Sequence, residues 1–274
     1  MNVGEIITTL FREFPYALYG SVLVGVACAF LGVYVVAKRV VFLGAVLTQA
    51  SVLGLALTFL PFVPVPHTVG AVAVTLITVV IISRMLTEKK TPRDAVLGVV
   101  FITSVAARIL IMQKTPHVEA AEIENLLRGD ILFVTPELFW LMAGAFVLAM
   151  AGHLLFFKEF IFITFDAETA ATQGYRARGW ELVFYLIAGV VISFATHMVG
   201  DLFVFGFLVV PPVAAMLLTR SVRGIFALSV LIGVLAPVVG LVLAFMFDFP
   251  ASPAIVGVAS VVLAVAWLVS LVRR

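Results

Sequence analysis

IFALSVLIGVLAPVVGLVLAFMF, residues 225–247, runs for 23 residues without a charged side chain. A helix needs about 20 mostly apolar residues to cross a bilayer, so this stretch reads as a transmembrane span. Its neighbours read the same way. From one charged or proline-rich break to the next, the chain offers nine candidate spans: 15–37, 41–61, 67–83, 95–112, 136–157, 180–199, 202–219, 225–247 and 254–272. The loops between them are short, and none has room for a soluble domain. The sequence therefore predicts an all-α, polytopic transmembrane helical bundle of about nine spans, a single domain over residues 1–274.

Composition agrees. The chain is 64% hydrophobic and 12% charged, against about 45–50% and about 25% in soluble domains. Its mean hydropathy is +1.24. So little polar surface could not cover a soluble core of this size. A soluble enzyme, a nucleic-acid binder and a disordered chain are all excluded, and the net charge of +2 offers no basic excess for a polyanion. The lone cysteine, Cys28, precludes an intrachain disulfide and a cysteine metal cluster. It reads as a small buried hydrophobe. Residues 1–14 include Glu5, Arg12 and Glu13 rather than the basic start of a cleavable signal, so the first span is expected to remain.

The basic residues orient the bundle. Thirteen of the 17 fall on one side: Lys38, Arg39, Arg84, Lys89, Lys90, Arg93, Lys158, Arg176, Arg178, Arg220, Arg223, Arg273 and Arg274. Arg12, Lys114 and Arg128 fall on the other. The positive-inside rule then predicts the N-terminus outside and the C-terminus inside, in a cytoplasmic (inner) membrane.

Ionisable groups inside a bilayer cost about 2.5–3.5 kcal/mol each on insertion scales and usually face a cavity or a partner. Few occur here. Arg108 can snorkel outward. His153 reads as interfacial, and Glu181 as a carboxylate near a helix N-terminus. His197 and Asp201 are four residues apart and would share one face if a helix ran through Gly200. An imidazole and a carboxylate so placed suit a divalent transition metal. The alternative is a capping aspartate and a wetted histidine. His67, His117 and Glu119 lie on the same predicted outer side. Pro211 and Pro212 should break or kink the seventh span, a feature membranes tolerate where protein or a cavity satisfies the backbone. The longest inner stretch, 158–179, contains DAETAATQ (166–173) followed by Gly174. That pattern predicts a short surface helix with a glycine stop. It either rests on headgroups or docks a cytoplasmic partner.

Four segments in register resemble the permease subunits of the metal-type (ABC-3 family) ABC importers for zinc, manganese and iron. They are VVFLGAVLTQASVLG (40–54), LRGDILFVT (127–135), FDAETAATQG (165–174) and residues 199–215, with VGDLFV and VPPVAA at their ends. The resemblance implies a homodimeric pore. It also implies cytoplasmic ATPase subunits docked on Asp166, Glu168, Ala171 and Gly174, an extracytoplasmic metal-binding protein, and gating near Pro211 and Pro212. ATP would be bound by the partner, since the chain has no phosphate-cradling G-x-x-x-x-G-K-[ST] loop; no cofactor is expected in the chain itself. The family's second span usually carries an aspartate and, four residues on, a histidine; here those positions are Ala45 and Gln49. The metal path is therefore expected to use His197 and Asp201, with Gln49 as a neutral contact. Two alternatives stand beside a free divalent metal. One is a same-fold permease for a metal chelate or other small solute. The other is an ion-coupled secondary transporter, which would need mid-span carboxylates that the predicted spans scarcely contain.

Overall fold

The computed structural model describes residue 8 and residues 10–60, 63–86, 92–115, 131, 134–165, 167–174 and 176–272. His117, Glu119, Lys89, Lys90, Arg128 and Asp166 lie outside the described residues, as does most of segment 127–135. The helices run α1 (Pro15–Ala37), α2 (Phe42–Thr58), α3 (His67–Met85), α4 (Arg93–Met112), α5 (Pro136–Leu155), α6 (Phe157–Phe165), α7 (Ala167–Thr172), α8 (Ala177–Val199), α9 (Asp201–Leu218), α10 (Val222–Phe247) and α11 (Ala251–Val272). Among the described residues, eight are long and apolar enough to cross a membrane. The second expected span, α2, is 17 residues and falls just short. Each of the nine expected spans has its helix.

The boundaries have local causes. Pro15 and Pro136 open α1 and α5, where a missing N–H is no loss. Thr135 Oγ1 accepts from the Leu138 N–H at 3.3 Å, and Ser221 Oγ from the Gly224 N–H at 3.0 Å, so both side chains cap helix starts. At the end of α10, Asp248 turns left-handed (φ 55°) and Pro250 follows, which stops the helix.

The chain divides into two compact units. The first comprises Met1–Val36, Glu124–Leu141 and Ala195–Arg274; the second comprises Ala37–Ile123 and Met142–Phe194.

In the first unit α9, α10 and α11 pack on one another, and α1 joins them through glycines. A methyl group on Gly25 would collide with the Gly233 carbonyl oxygen of α10 and lie 3.0 Å from Pro237 Cγ. A methyl on Gly240 would collide with the Ile255 backbone of α11. Ser229 Oγ donates to the Ala29 carbonyl at 2.8 Å, and Ser252 Oγ to the Val199 carbonyl at 3.0 Å. Lipid tails are as apolar as leucine, so close backbone approach and hydroxyl bonds carry the specificity. Cys28 is fully buried, as expected of a small hydrophobe.

Of the break or kink expected at Pro211 and Pro212, the chain shows no break: α9 is one α-helix from Asp201 to Leu218. Each proline removes an N–H, freeing the carbonyl four residues earlier, at Phe207 and Leu208. Gly32 of α1 lies against the Leu208 carbonyl, where a methyl would collide with it and sit 2.8 Å from Pro212 Cγ. Protein backbone, rather than lipid, covers that carbonyl, which is how a membrane helix keeps an internal proline.

In the second unit α2 packs between α3 and α4. A methyl on Gly54 would collide with the Gly70 carbonyl oxygen of α3 and lie 2.8 Å from Ala71 Cα. Fourteen of the 17 residues of α2 are buried, as its small side chains allow. By contrast α4, α5 and α11 are largely exposed along their spans.

The Gly25 contact leads to a thermal-melt test. Gly25→Ala should lower the melting point of the purified protein through overpacking worth about 1–3 kcal/mol. Gly257→Ala on α11, where an added methyl meets open space, should leave it no lower.

Candidate functional site

In the second unit the polar groups of α2 are neutral. Gln49 is buried, and Ala45 stands one turn before it. Thr48 Oγ1 donates to the Ala45 carbonyl at 2.9 Å. The Ser51 and Ser193 hydroxyls are 2.9 Å apart and tie α2 to α8. At the far end of α2, Thr58 Oγ1 donates to the Leu55 carbonyl at 2.6 Å and lies 2.7 Å from His67 Nδ1. One hydroxyl proton cannot serve both bonds, so His67 Nδ1 carries the proton and donates. Its ring stacks on Phe59 at 4.3 Å between centroids. The sequence did not reveal the Ser51–Ser193 pair, because that pairing depends on how α2 and α8 are rotated.

In the first unit the junction of α8 and α9 holds His197, Gly200 and Asp201. The helix does not run through Gly200, which has φ 84° and ψ 169°. That backbone region favours glycine. The shared helical face expected for His197 and Asp201 is therefore lost, and the two residues stand on either side of a break. Both are partly exposed. The last carbonyl of α8, on Val199, accepts from Ser252 of α11, so this break is braced from the side. Among the described residues no three His, Cys, Asp or Glu side chains converge into a metal-binding group.

The expected surface helix is α7, six residues that follow directly on the nine-residue α6. Gly174 has φ 85° and ends the segment as the sequence indicated. Ala170 is fully buried, while Thr169, Thr172, Gln173 and Gly174 are exposed. Asp166 and the side chains of Glu168 and Ala171 lie outside the described residues.

His153 is fully buried in α5. It stacks on Phe160 of α6 at 4.6 Å and meets Phe184 of α8 edge-on at 5.9 Å. Its Nδ1 bonds the Ala149 carbonyl at 2.9 Å. The aromatic residues that cover it arrive from α6 and α8, which a linear reading does not bring together. Glu181 lies in the second turn of α8 and accepts the Tyr185 hydroxyl at 2.8 Å.

The Ser51–Ser193 bond predicts a coupled pair. In a double-mutant cycle read by chemical denaturation, Ser51→Ala and Ser193→Ala should be non-additive by about 0.6 kcal/mol, the usual size for interhelical bonds in membranes. Strict additivity would show that the two hydroxyls act separately.

Comparison with known proteins accords with this architecture. The family model described as "ABC 3 transport family" matches residues 12–270. A "Manganese transport system membrane protein MntD" of Bacillus subtilis is 30% identical over 269 residues, covering 91% of this chain and 90% of that protein. A "Probable iron transport system membrane protein" of Haemophilus influenzae is 27% identical over 254 residues, covering 93% and 89%. Among solved structures, PsaBC from Streptococcus pneumoniae in complex with Fab superimposes with a TM-score of 0.86 at 22% identity, over 97% of this chain and 95% of that one. The chain belongs to the ABC 3 transport family and is a multi-pass protein of the inner membrane.

Proposed function

We propose that the chain is the membrane-spanning permease subunit of an ATP-binding-cassette importer for a divalent transition metal: manganese, iron or zinc. The observation that carries this reading is the family match across residues 12–270, in a chain whose full-length relatives are named for manganese and iron transport. Energy would come from separate cytoplasmic ATPase subunits that bind ATP. Their docking segment would be Asp166, Glu168, Ala171 and Gly174. The exposed Thr169, Thr172 and Gln173 on a helix anchored by buried Ala170 support that role. An extracytoplasmic metal-binding protein would deliver the ion, and two copies of this chain would line the pore. Switching between outward-open and inward-open states needs packed helices with two discrete arrangements. Pro211 and Pro212 supply α9 with a ladder already missing two bonds.

Within the chain, His197, Asp201 and Gln49 would contact the passing metal. The partly exposed imidazole and carboxylate beside Gly200 support the first two. Gln49 offers only a neutral amide oxygen, a weaker donor toward a transition metal than the family's usual histidine.

A second reading is favoured by one observation. Among the described residues, α2 contains no ionisable side chain and no three metal-ligating groups converge. A pore of this kind suits a chelated metal, whose ligands travel with it.

Uptake into proteoliposomes containing the permease, its ATPase and its binding protein separates the two. For a free metal, His197→Ala and Asp201→Ala should each weaken apparent affinity about ten-fold or more, with Gln49→Ala smaller in effect. Unchanged uptake by both variants at wild-type protein levels would remove these residues from the path. Uptake of chelated metal alone would select the second reading.

A further inference from the structure

One polar feature takes no part in the proposed function. It is a crevice of about 170 Å³ within the second unit, lined in part by Lys38, Arg39, Arg93, Thr164 and Glu181. Three cations face one carboxylate, and that carboxylate already accepts the Tyr185 hydroxyl at 2.8 Å. The balance inside the crevice is positive.

Three observations indicate that the positive charge awaits an anion. Thr164 Oγ1 is buried and meets no hydrogen-bond partner among the described residues. A buried hydroxyl without a partner is costly unless a ligand satisfies it. Arg39 holds φ at 58°, a left-handed conformation in which its Cβ crowds the backbone. Such strain persists at sites where a side chain's placement matters. The Lys38 ammonium lies 5.8 Å from the Phe184 ring centroid. Burial lowers its pKa, Glu181 opposes that fall and Arg93 adds to it. A bound anion would relieve the repulsion between Lys38 and Arg93.

Location selects the anion. Lys38 and Arg39 directly follow α1, Arg93 opens α4, Thr164 closes α6 and Glu181 lies in the second turn of α8. The crevice therefore sits at the ends of membrane-spanning helices, level with phospholipid headgroups. Beside it α4 exposes Val99 and Ile102, and α6 exposes Phe165, an apolar flank for acyl chains. We propose that this crevice binds the phosphate of an anionic phospholipid, held by Lys38, Arg39, Arg93 and the Thr164 hydroxyl, with its acyl chains along the exposed face of α4. Thr164 is three residues from the start of α7, so the bound lipid would brace the segment that leads into that helix.

The test uses the full-length, delipidated protein in detergent. It is titrated with phosphatidylglycerol, phosphatidylcholine or inorganic phosphate, and retention is read by native mass spectrometry. Wild-type protein should retain phosphatidylglycerol in preference to phosphatidylcholine. Arg39→Gly and Arg93→Gln should each weaken that retention about five-fold, the worth of one basic residue at an anionic surface. Both side chains are exposed, and Arg39→Gly relaxes a strained backbone, so a thermal melt should show neither variant unfolding. Thr164→Val, equal in shape, gives a third reading of the same site. Equal retention of phosphatidylglycerol by wild type and variants would overturn the proposal. So would its displacement by millimolar inorganic phosphate, which would assign the crevice to a soluble anion. Unchanged lipid retention with loss of ATPase-subunit capture would also overturn it and give the crevice to a protein partner.

Discussion

Lipid gives apolar helices no reason to prefer one neighbour to another. Everything specific in this chain follows from that constraint. Leucine, valine and phenylalanine make the spans, but they do not select partners. Selection falls to glycines that let backbones touch, as Gly25 meets Gly233 and Gly54 meets Gly70. It falls also to hydroxyls that cross between helices, as Ser229 reaches the Ala29 carbonyl and Ser51 meets Ser193. Within each unit these contacts fix which helix faces overlap, and so which residues are buried and which meet lipid.

The same constraint governs polar groups. Among the described residues most charge lies near span ends, where Asp201 opens α9 and Lys38 follows α1, with Arg108 inside α4 an exception. Inside the buried α2 only neutral groups remain. The chain thus keeps no ionisable side chain along this buried helix. The proline pair obeys the rule too. Its freed Leu208 carbonyl is closed off by the backbone of α1 at Gly32, so α9 remains a helix while lacking two of its internal bonds.

Much of this was legible in the sequence. Span positions follow from runs of apolar residues, and α1 matched its expected limits of 15 and 37. Gly174 marked a real stop, because its backbone preference acts locally. What was harder to read depended on neighbours far away in the chain or on a local backbone turn. That Pro211 and Pro212 leave α9 unbroken could not be read locally, because Gly32, some 180 residues earlier, cannot be seen beside them. The burial of His153 was not legible because Phe160 and Phe184 reach it only after α6 and α8 have packed. A helix through Gly200 would have put His197 and Asp201 on one face; that glycine instead takes the positive φ at which α8 ends and α9 begins. The likeness to a metal-permease family was readable from four short segments.

The most direct test of metal import is ATP-driven uptake of free manganese, iron and zinc by the wild-type complex in sealed proteoliposomes. ATPase stimulation is measured in the same preparation. At least one ion should accumulate in a manner that requires ATP and the binding protein, with hydrolysis stimulated by that ion. A fully assembled complex that hydrolyses ATP yet responds to none of the three free metals would contradict import of a free divalent metal.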